Sequence, residues 1–284
     1  MNKLQNKKYS IAGGLKFHRE ILGFLDNIKD FYGVDEDTID SVYGSHPGII
    51  WNGGRLVDKF NWNIERTIEI INRYNSRGIG FRFTFTNTLL EEKHLDDKKG
   101  NKILRECENK LNSVVVSRDI MRDYIKENYP DYNVILSVCA CIKDKNTLKD
   151  KITKYDKVSL HPDLNRDYDL IKELGPENLI ILVNEECVEK CPYRKNHYDM
   201  ISSKILYDKE ISKEEDYYDK IDKFHKQMSR GDLKLSFKEI NKLYNIGVRD
   251  YKLQGRERIY REYLQYLTKY IEKEMIQTFI KKNI

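Results

Sequence analysis

The chain has 284 residues, of which 39% are hydrophobic and 34% are charged, and its formal net charge is +5 from 51 basic and 46 acidic residues. Its mean hydropathy is −0.72, and no stretch approaches the roughly 20 apolar residues that a membrane span needs. These totals suit a single barrel-sized domain, residues 1–284, with an apolar core inside a charged shell, and they exclude a membrane-spanning protein.

The first ten residues, Met1–Ser10, are polar and lysine-rich, without the apolar segment that a secretory signal carries. We therefore expect a cytoplasmic protein. In that compartment the five cysteines are expected to be free thiols or metal ligands rather than a disulfide framework. The basic excess is small and both signs of charge are interleaved, which is typical of a solvated surface.

Eight short runs of β character follow one another along the chain, and most of them precede a helical segment. The predicted strands are Lys8–Ala12, Ile39–Tyr43, Ile79–Thr86, Ser113–Val116, Val134–Cys141, Lys157–Leu160, Leu179–Val183 and Val248–Leu253. The predicted helices are Phe17–Phe31, Asn63–Tyr74, Ile120–Asn128, Lys145–Lys154 and Leu164–Leu174. Parallel strands need a crossover that is usually a helix. The alternation therefore predicts an α/β fold, a single (β/α)8 barrel of the TIM type.

One connection, approximately residues 185–247, is much longer than the others. It holds a cysteine-bearing segment and then an acidic, tyrosine-rich stretch in which Ile205, Ile211, Tyr218 and Ile221 are spaced as in a helix. Long connections in compact domains are usually functional or disordered, and this spacing indicates partial order and favours a lid or subdomain. Residues 258–284 are predicted to form a C-terminal helix.

Polar side chains alternate with apolar ones in several predicted strands. In the third strand Phe81, Phe83 and Phe85 suit the side that faces the helices, which leaves Arg82, Thr84 and Thr86 facing the barrel axis. The same alternation turns inward a further set near the ends of the fifth, sixth and eighth strands, namely Ser137, Cys139, Cys141, Ser159, His161, Lys252 and Gln254. Because barrel enzymes carry their sites at the carboxyl ends of the strands, we expect the site there.

The segment after the seventh strand carries Cys187 and Cys191, and His197 follows six residues later. Two thiolates and an imidazole are suitable ligands for zinc. Together with Cys139 and Cys141 from the fifth strand, the two loop cysteines would instead supply the four thiolates of an iron–sulfur cluster. The spacing leaves open a zinc ion, a cluster, or reduced thiols with no cofactor.

Several motifs resemble the collagenase-like peptidase family, the U32 peptidases of unassigned mechanism. Residues 243–256, Leu-Tyr-Asn-Ile-Gly-Val-Arg-Asp-Tyr-Lys-Leu-Gln-Gly-Arg, are similar to the family's closing-strand signature Gly-Val-x-x-x-Lys-Ile-Glu-Gly-Arg. The segments Ala12–Gly14, Asp40–Gly44 and Val183–Pro192 resemble further family elements in the same order. The resemblance implies a (β/α)8 fold and one of two chemistries. These are peptidase action on collagen-like chains, or oxygen-independent hydroxylation with a four-iron four-sulfur cluster on four cysteines.

The leading hypothesis is an enzyme that modifies its substrate with the help of a metal or iron–sulfur cluster. Its pocket would be lined by His161, Asn184, Lys252 and Arg256. His161 could act as acid or base because an imidazole titrates near neutrality. Lys252 and Arg256 could grip a carboxylate or phosphate.

Two further functions remain open. One is a metal-free peptide hydrolase, for which a cysteine nucleophile with His161 or His197 as base is available, since no Gly-x-Ser-x-Gly or His-Glu-x-x-His motif is present. The other is a non-catalytic barrel that binds nucleic acid or a partner protein through the basic and aromatic segment 251–261. The substrates to be considered are accordingly a small molecule, a peptide or an RNA.

Overall fold

In the computed structural model, eight parallel strands close into one ring in the order of the chain. The structure describes residues 7–27, 38–55, 57, 60–207, 233–255 and 270. β1 is hydrogen-bonded to both β2 and β8, which closes the barrel. The predicted (β/α)8 architecture is confirmed. Within the described residues, no helix has the length and apolar character that crossing a membrane requires.

Strands and helices alternate along the described chain. The strands are β1 (Lys8–Ala12), β2 (Ile39–Gly44), β3 (Gly80–Phe85), β4 (Ser113–Val116), β5 (Asn133–Leu136), β6 (Lys157–Ser159), β7 (Leu179–Leu182) and β8 (Asp250–Leu253). The helices are α1 (His18–Asp26), α2 (Ile64–Asn75), α3 (Lys98–Glu106), α4 (Asp119–Asn128), α5 (Lys145–Lys154), α6 (Tyr168–Leu174), α7 (Arg194–Tyr207) and α8 (Phe237–Asn245). Predicted and observed strand bounds agree within two residues, except for the end of the fifth strand.

Helix starts are set by side chains that accept a backbone N–H of the first turn. Asn63, Asp97, Asp144, Asp167 and Ser236 cap α2, α3, α5, α6 and α8 in this way. Such caps satisfy donors that a helix cannot pair internally. The helices then bury their apolar stripes against the outside of the barrel, where one continuous core is formed.

The predicted facing of the third strand is confirmed by its contacts. Phe81, Phe83 and Phe85 are buried in the core between the sheet and the helices. Arg82 points inward and forms ion pairs inside the ring, while Thr84 lines the interior cavity. The polar side chains of β3 therefore face the barrel axis. This orientation of the strand is stabilised because it buries the three aromatic rings against the helices.

The interior is layered from the amino-terminal end of the barrel. Arg82, only 7% exposed, lies 2.9 Å from Asp40 and 3.7 Å from Asp250. The Lys157 ammonium lies 2.8 Å from the other oxygen of Asp250. These four residues form an ion-pair network at the base of the barrel.

A small apolar layer of Val115, Ile135 and Ile180 forms its own buried cluster, separate from the main core. Ile135 and Ile180 lie one inward position before Ser137 and Leu182, which line the cavity at the opposite end. The apolar layer thus separates the cavity from the network at the base.

The fifth strand ends earlier than predicted, and the error affects two candidate ligands. β5 stops at Leu136, and Val138–Ala140 form a short 3-10 helix capped by the Ser137 hydroxyl. Cys141 then adopts a left-handed conformation with φ of 53°. Strand alternation does not continue through these residues, so Cys139 lines the cavity while Cys141 does not.

Three other predictions fall partly or wholly outside the described residues. The first helix was predicted to Phe31, but α1 ends at Asp26, and the residues after Asn27 up to 37 lie outside the described part. The predicted insertion at 185–247 is described as far as residue 207, which includes α7, and again from residue 233, which includes α8. Of the predicted C-terminal helix 258–284, only Tyr270 is described.

Candidate functional site

A cavity of about 440 Å³ opens inside the ring at the carboxyl ends of the strands. It is lined by polar, charged and a few apolar residues: Tyr43, Arg55, Thr84, Thr86, Ser137, Val138, Cys139, Leu182, Glu185, Glu186, Lys252, Gln254 and Gly255. Because parallel strands bring their carboxyl ends together, residues far apart in sequence meet here. A concave space with a few convergent polar groups is the usual form of a binding site in this fold.

Hydroxyl groups form part of the cavity wall. Thr86 donates its hydroxyl to the Gly53 carbonyl at 2.6 Å. The Ser137 oxygen accepts the backbone N–H of Cys139 at 3.1 Å. In the described part of the chain, nothing hydrogen-bonds to the Thr84 hydroxyl and nothing accepts the hydroxyl hydrogen of Ser137. These two donors remain available to a molecule in the cavity.

Glu185 is the central charge at the opening of the cavity, which we call the mouth and which includes Arg55, Glu185, Arg194 and Tyr198. Its carboxylate is 3% exposed and lies 2.7 Å from Arg55 and 3.4 Å from Arg194. It also accepts the backbone N–H groups of Glu186 and Cys187. Burial alone would raise the pKa of Glu185, but the charges of the two arginines outweigh it and lower the pKa to about 2. The carboxylate is therefore ionised at neutral pH and serves to hold the arginines, not to take up protons.

Arg55 bridges three parts of the mouth. One terminal nitrogen donates to Gln254 at 2.9 Å, and the other donates to Glu185 at 2.7 Å and to the Tyr198 hydroxyl at 3.0 Å. Its side chain keeps 27% of its surface exposed and lines the cavity. The guanidinium is thus oriented by protein groups while one part still faces the space where a ligand would lie.

The loop that carries Arg55 approaches the barrel unusually closely. At Gly54, φ is +65°, and a Cβ atom would lie 2.8 Å from the Cys139 sulfur and 2.8 Å from the Thr86 carbonyl oxygen. Only glycine fits both this conformation and this contact. The Gly54 N–H donates to the Ser202 hydroxyl at 2.9 Å, which ties the loop to α7.

α7 presents one face to the mouth. Arg194, Tyr198 and Ser202 follow one another at four-residue steps, so they lie on the same side of the helix. Ser202 accepts the N–H groups of Gly54 and Thr88 at 2.9 and 3.0 Å. The beginning of the long connection is therefore an ordered helix docked on the loops that follow β2 and β3.

Asn184 and Gln254 join the ends of β7 and β8. Asn184 donates its amide to the Gln254 carbonyl at 2.7 Å and accepts the Gln254 N–H at 2.9 Å. The Gln254 amide donates to the Asn184 carbonyl at 3.0 Å. Asn184, a predicted pocket residue, is 1% exposed and does not line the cavity. In the structure it positions Gln254, which does.

Lys252, another predicted pocket residue, does line the cavity. Its ammonium lies 4.2 Å from the centre of the Tyr43 ring, a cation–π contact. Tyr43 is held in place because its hydroxyl donates to the Leu253 carbonyl at 2.7 Å. The lysine therefore has a defined position on the wall that β2 and β8 share.

His161 lies beside the mouth but not in the cavity wall. It is 3% exposed, and Nδ1 accepts the backbone N–H of Asp163 at 3.2 Å at the start of a short 3-10 helix, Pro162–Leu164. Burial lowers the pKa of His161, and the nearby Arg194 and Lys143 lower it further against the opposing charge of Asp163. The lowered pKa favours the neutral ring, which can accept a proton as the predicted base but does not carry the proton that the predicted acid would donate.

The two loop cysteines contact each other. Cys187 and Cys191 share a side-chain hydrogen bond, which lowers the pKa of Cys191 and raises that of Cys187. Backbone N–H groups of Tyr193 and Arg194 also bond to Cys191 and lower its pKa. None of the five cysteines, all of which lie in the described part of the chain, forms a disulfide.

The residues present do not fit the predicted shared metal or cluster. Cys139 and Cys141 pack with Val138 and Tyr198 at the end of the fifth strand, whereas Cys187 and Cys191 pair with each other. His197 stacks on Tyr198 at 6.4 Å between ring centres. Across the part of the chain that the structure describes, no three His, Cys, Asp or Glu side chains come together as a metal site. Neither the four-cysteine set nor the set of Cys187, Cys191 and His197 is assembled.

Several residues of the mouth were not singled out from the sequence: Arg55, Glu185, Arg194 and Tyr198. Two signals point to them. Arg55 follows the pair Gly53-Gly54, which indicates a loop that closely approaches other backbone, and Glu185 lies three residues after the end of β7. Arg256, which was predicted to line the pocket, lies outside the described residues.

The geometry defines the class: a (β/α)8 barrel with a charged, hydroxyl-lined cavity at the carboxyl ends of its strands. Among solved structures, the U32 peptidase Mk0906 superposes on 90% of this chain and 94% of its own, with a TM-score of 0.58 and 13% identity. The citrate synthase SbnG superposes with a TM-score of 0.41 and 12% identity, over 92% of each chain.

Sequence comparison points in the same direction. The chain is 27% identical over 168 residues to an uncharacterized protease of Methanocaldococcus jannaschii, over 57% of this chain and 50% of that protein. The match thus spans half the length of this curated relative. No family model matches the chain. The resemblance to U32 peptidases that the motifs predict is confirmed.

Proposed function

We propose that this chain is a peptide-processing enzyme of the collagenase-like peptidase kind, and that the cavity at the carboxyl ends of the strands holds the peptide. Three findings support the proposal. The fold is shared with a U32 peptidase, the sequence is similar to that of an uncharacterized protease, and the cavity stands where barrels carry their chemistry.

The observation that carries the proposal is the pairing of charge and unused hydrogen-bond donors in one cavity. Arg55 and Lys252 are cationic, and Thr84 and Ser137 keep hydroxyl hydrogens directed to no described protein acceptor. A peptide offers carbonyl oxygens and carboxylates, which are acceptors for these groups. The volume of about 440 Å³ accommodates a few residues, not a folded domain.

In the proposed reaction, Arg55 and Lys252 act on charge that develops at the scissile carbonyl. In hydrolysis the oxygen of a water molecule bonds to the carbonyl carbon, whose own oxygen becomes negative, and the C–N bond then breaks as the amine leaves with a proton from the water. Fixed positive groups stabilise that oxyanion more than they stabilise the neutral carbonyl. Glu185 and Gln254 keep the Arg55 guanidinium in place, so little reorganisation is needed. No step is assigned to a metal or cluster.

The test is peptide cleavage by the full chain, read by mass spectrometry on an unbiased peptide library and on gelatin peptides. For a cleaved peptide, Lys252→Met is expected to lower kcat/KM about 100-fold, and Thr84→Val about tenfold, because each removes a donor to the reacting group. Lys195→Met is the matched control, since Lys195 is 67% exposed and pairs with Asp199 outside the cavity.

Two outcomes contradict the proposal. One is wild-type protein that cleaves nothing in either peptide set. The other is a Lys252→Met variant with wild-type kcat/KM, which would place the reaction elsewhere. Circular dichroism and unfolding midpoints of each variant separate loss of function from loss of folding.

A further inference from the structure

The thiols of Cys187 and Cys191 share a hydrogen bond in the connection between β7 and α7, and among the described residues no His, Cys, Asp or Glu joins them to form a metal site. We propose that Cys187 and Cys191 are a dithiol modification site, which a peroxide oxidises to an intramolecular disulfide. The pair is independent of the peptide-processing function proposed above, because neither cysteine lines the cavity.

The two thiols have different surroundings, which assigns them different roles. Cys191 lies three residues before α7, where the backbone N–H groups of Tyr193 and Arg194 lower the pKa of its thiol, and the Arg194 N–H donates to the Cys191 carbonyl at 3.4 Å. The Arg194 guanidinium is 5% exposed and charged beside the pair. Amide donors at a helix start and a nearby cation both stabilise a thiolate. Cys191 is therefore the attacking thiol, and Cys187, whose pKa is raised, is the one that resolves the intermediate.

Arg194 adds a second observation that favours an oxidised intermediate. Its Nε is buried and forms no hydrogen bond with any described residue. A sulfenate oxygen on Cys191 is an acceptor that such a donor could bind, whereas an uncharged thiol is a weak one. The guanidinium, whose charge lowers the pKa of Cys191, thus keeps a buried donor without an acceptor among the described residues.

The reaction balances in two steps with hydrogen peroxide as the oxidant. The Cys191 thiolate attacks one peroxide oxygen, the O–O bond breaks, and Cys191 sulfenic acid forms, while the leaving hydroxide takes up the proton that the thiol lost and becomes the first water. The Cys187 sulfur then attacks the Cys191 sulfur, the S–O bond breaks, and water leaves as the S–S bond forms. Together the two sulfurs lose two electrons, and the peroxide is reduced to two waters.

The disulfide would tie a segment that connects two parts of the mouth. Cys187 donates its N–H to Glu185, the carboxylate that holds Arg55. Arg194, three residues after Cys191, begins α7 and also faces Glu185. Oxidation therefore acts on the loop between the cavity carboxylate and the helix that docks beside it.

The experiment treats the reduced full chain with stoichiometric peroxide and follows each cysteine by mass spectrometry. Trypsin cleaves after Lys190, between the two cysteines. Without a reducing agent, the two resulting peptides are expected to stay linked by the disulfide, at a mass two hydrogens below the sum of the reduced peptides, and dithiothreitol should separate them. In Cys187→Ser, dimedone should trap sulfenic acid on Cys191. Cys191→Ser should slow oxidation about tenfold or more.

Cys141→Ser is the matched control, because burial raises the pKa of Cys141 to about 11 and the residue lies outside the pair. Its oxidation rate should equal that of the wild type. The proposal fails if Cys191 oxidises without forming the disulfide, or if Cys141 reacts as fast as Cys191. It also fails if one zinc ion per chain binds the reduced pair tightly and blocks oxidation, since the thiols would then be metal ligands.

Discussion

At the scale of single residues, Glu185 connects the two sides of the mouth. It holds Arg55 on the cavity side and Arg194 on the helix side, at 2.7 and 3.4 Å. A buried carboxylate between two guanidiniums is costly to remove, because both cations lose the charge that compensates their burial. The two arginines in turn set the charge of the cavity wall and the start of α7.

Glu185→Gln is therefore expected to destabilise the fold by roughly 3 kcal/mol, measured by urea unfolding at pH 7. The matched control is the next residue along the chain. Glu186 has a side chain that is 48% exposed and lies 3.5 Å from Lys234, so Glu186→Gln should change stability by less than about 1 kcal/mol. Equal effects of the two substitutions would show that the buried pairing does not stabilise the mouth.

The pH dependence follows from the same carboxylate. The pKa of Glu185 is about 2 in the folded protein, against an ordinary value of 4.5. A lowered folded-state pKa means that the contribution is complete above pH 4.5 and is lost as the pH falls toward 2. The difference in unfolding free energy between wild type and Glu185→Gln should shrink over that window. A constant difference would contradict the assigned ionisation.

At the scale of elements, the loop after β2 and the turn after β5 support each other. Gly54 passes against Cys139 and the Thr86 carbonyl, and the 3-10 helix of Val138–Ala140 brings Cys139 into that position. Arg55 enters the mouth only because the backbone before it can come so close. The two connecting segments, not the strands, decide where the guanidinium lies.

Gly54→Ala should destabilise the protein by about 2 kcal/mol, since the new methyl meets atoms at 2.8 Å and the φ of +65° disfavours alanine. The control is Gly23→Ala on the exposed face of α1, where an added Cβ meets nothing within 4 Å. That change should stabilise the helix by about 0.5–1 kcal/mol. Thermal unfolding measures both, and a neutral Gly54→Ala would mean that the loop adjusts freely.

At the scale of the whole molecule, the barrel interior is divided into a charged base, an apolar layer and a polar cavity. The base joins β2, β3, β6 and β8 through Asp40, Arg82, Lys157 and Asp250. Charges inside a barrel must be paired, because they are removed from water. The ion pairs therefore link these four strands to one another inside the ring and help to keep the ring closed.

Arg82→Met should cost about 3 kcal/mol, since it leaves Asp40 and Asp250 without their shared cation in the interior. Lys154→Met removes a surface pair with Asp150 one helical turn away and should cost about 0.5 kcal/mol or less. Chemical unfolding of the two variants compares them directly. A stable Arg82→Met protein would show that the network contributes little to closure.

The barrel, and the side of each strand that faces its axis, could be predicted because both follow from the local pattern of polar and apolar residues. Alternation of Phe81, Phe83 and Phe85 with Arg82, Thr84 and Thr86 assigns both faces of β3 without knowledge of any other strand. The bounds of β1 and β4 also match the prediction residue for residue. The end of β5 could not be predicted in this way, since a Ser137 hydroxyl capping a 3-10 helix replaces strand pairing there.

The sequence by itself determined the order of the elements, the closed α/β architecture and the presence of Lys252 in the cavity wall. Only the tertiary structure decided which charges meet: Arg55 pairs with Glu185 and Tyr198, which lie 130 and 143 positions away along the chain. It also separated the cysteines into two groups that no local spacing distinguishes. The physical reason is the distance along the chain over which each effect operates. The alternation of polar and apolar residues depends on neighbouring residues, whereas the contacts of buried side chains depend on how the ring brings distant segments together.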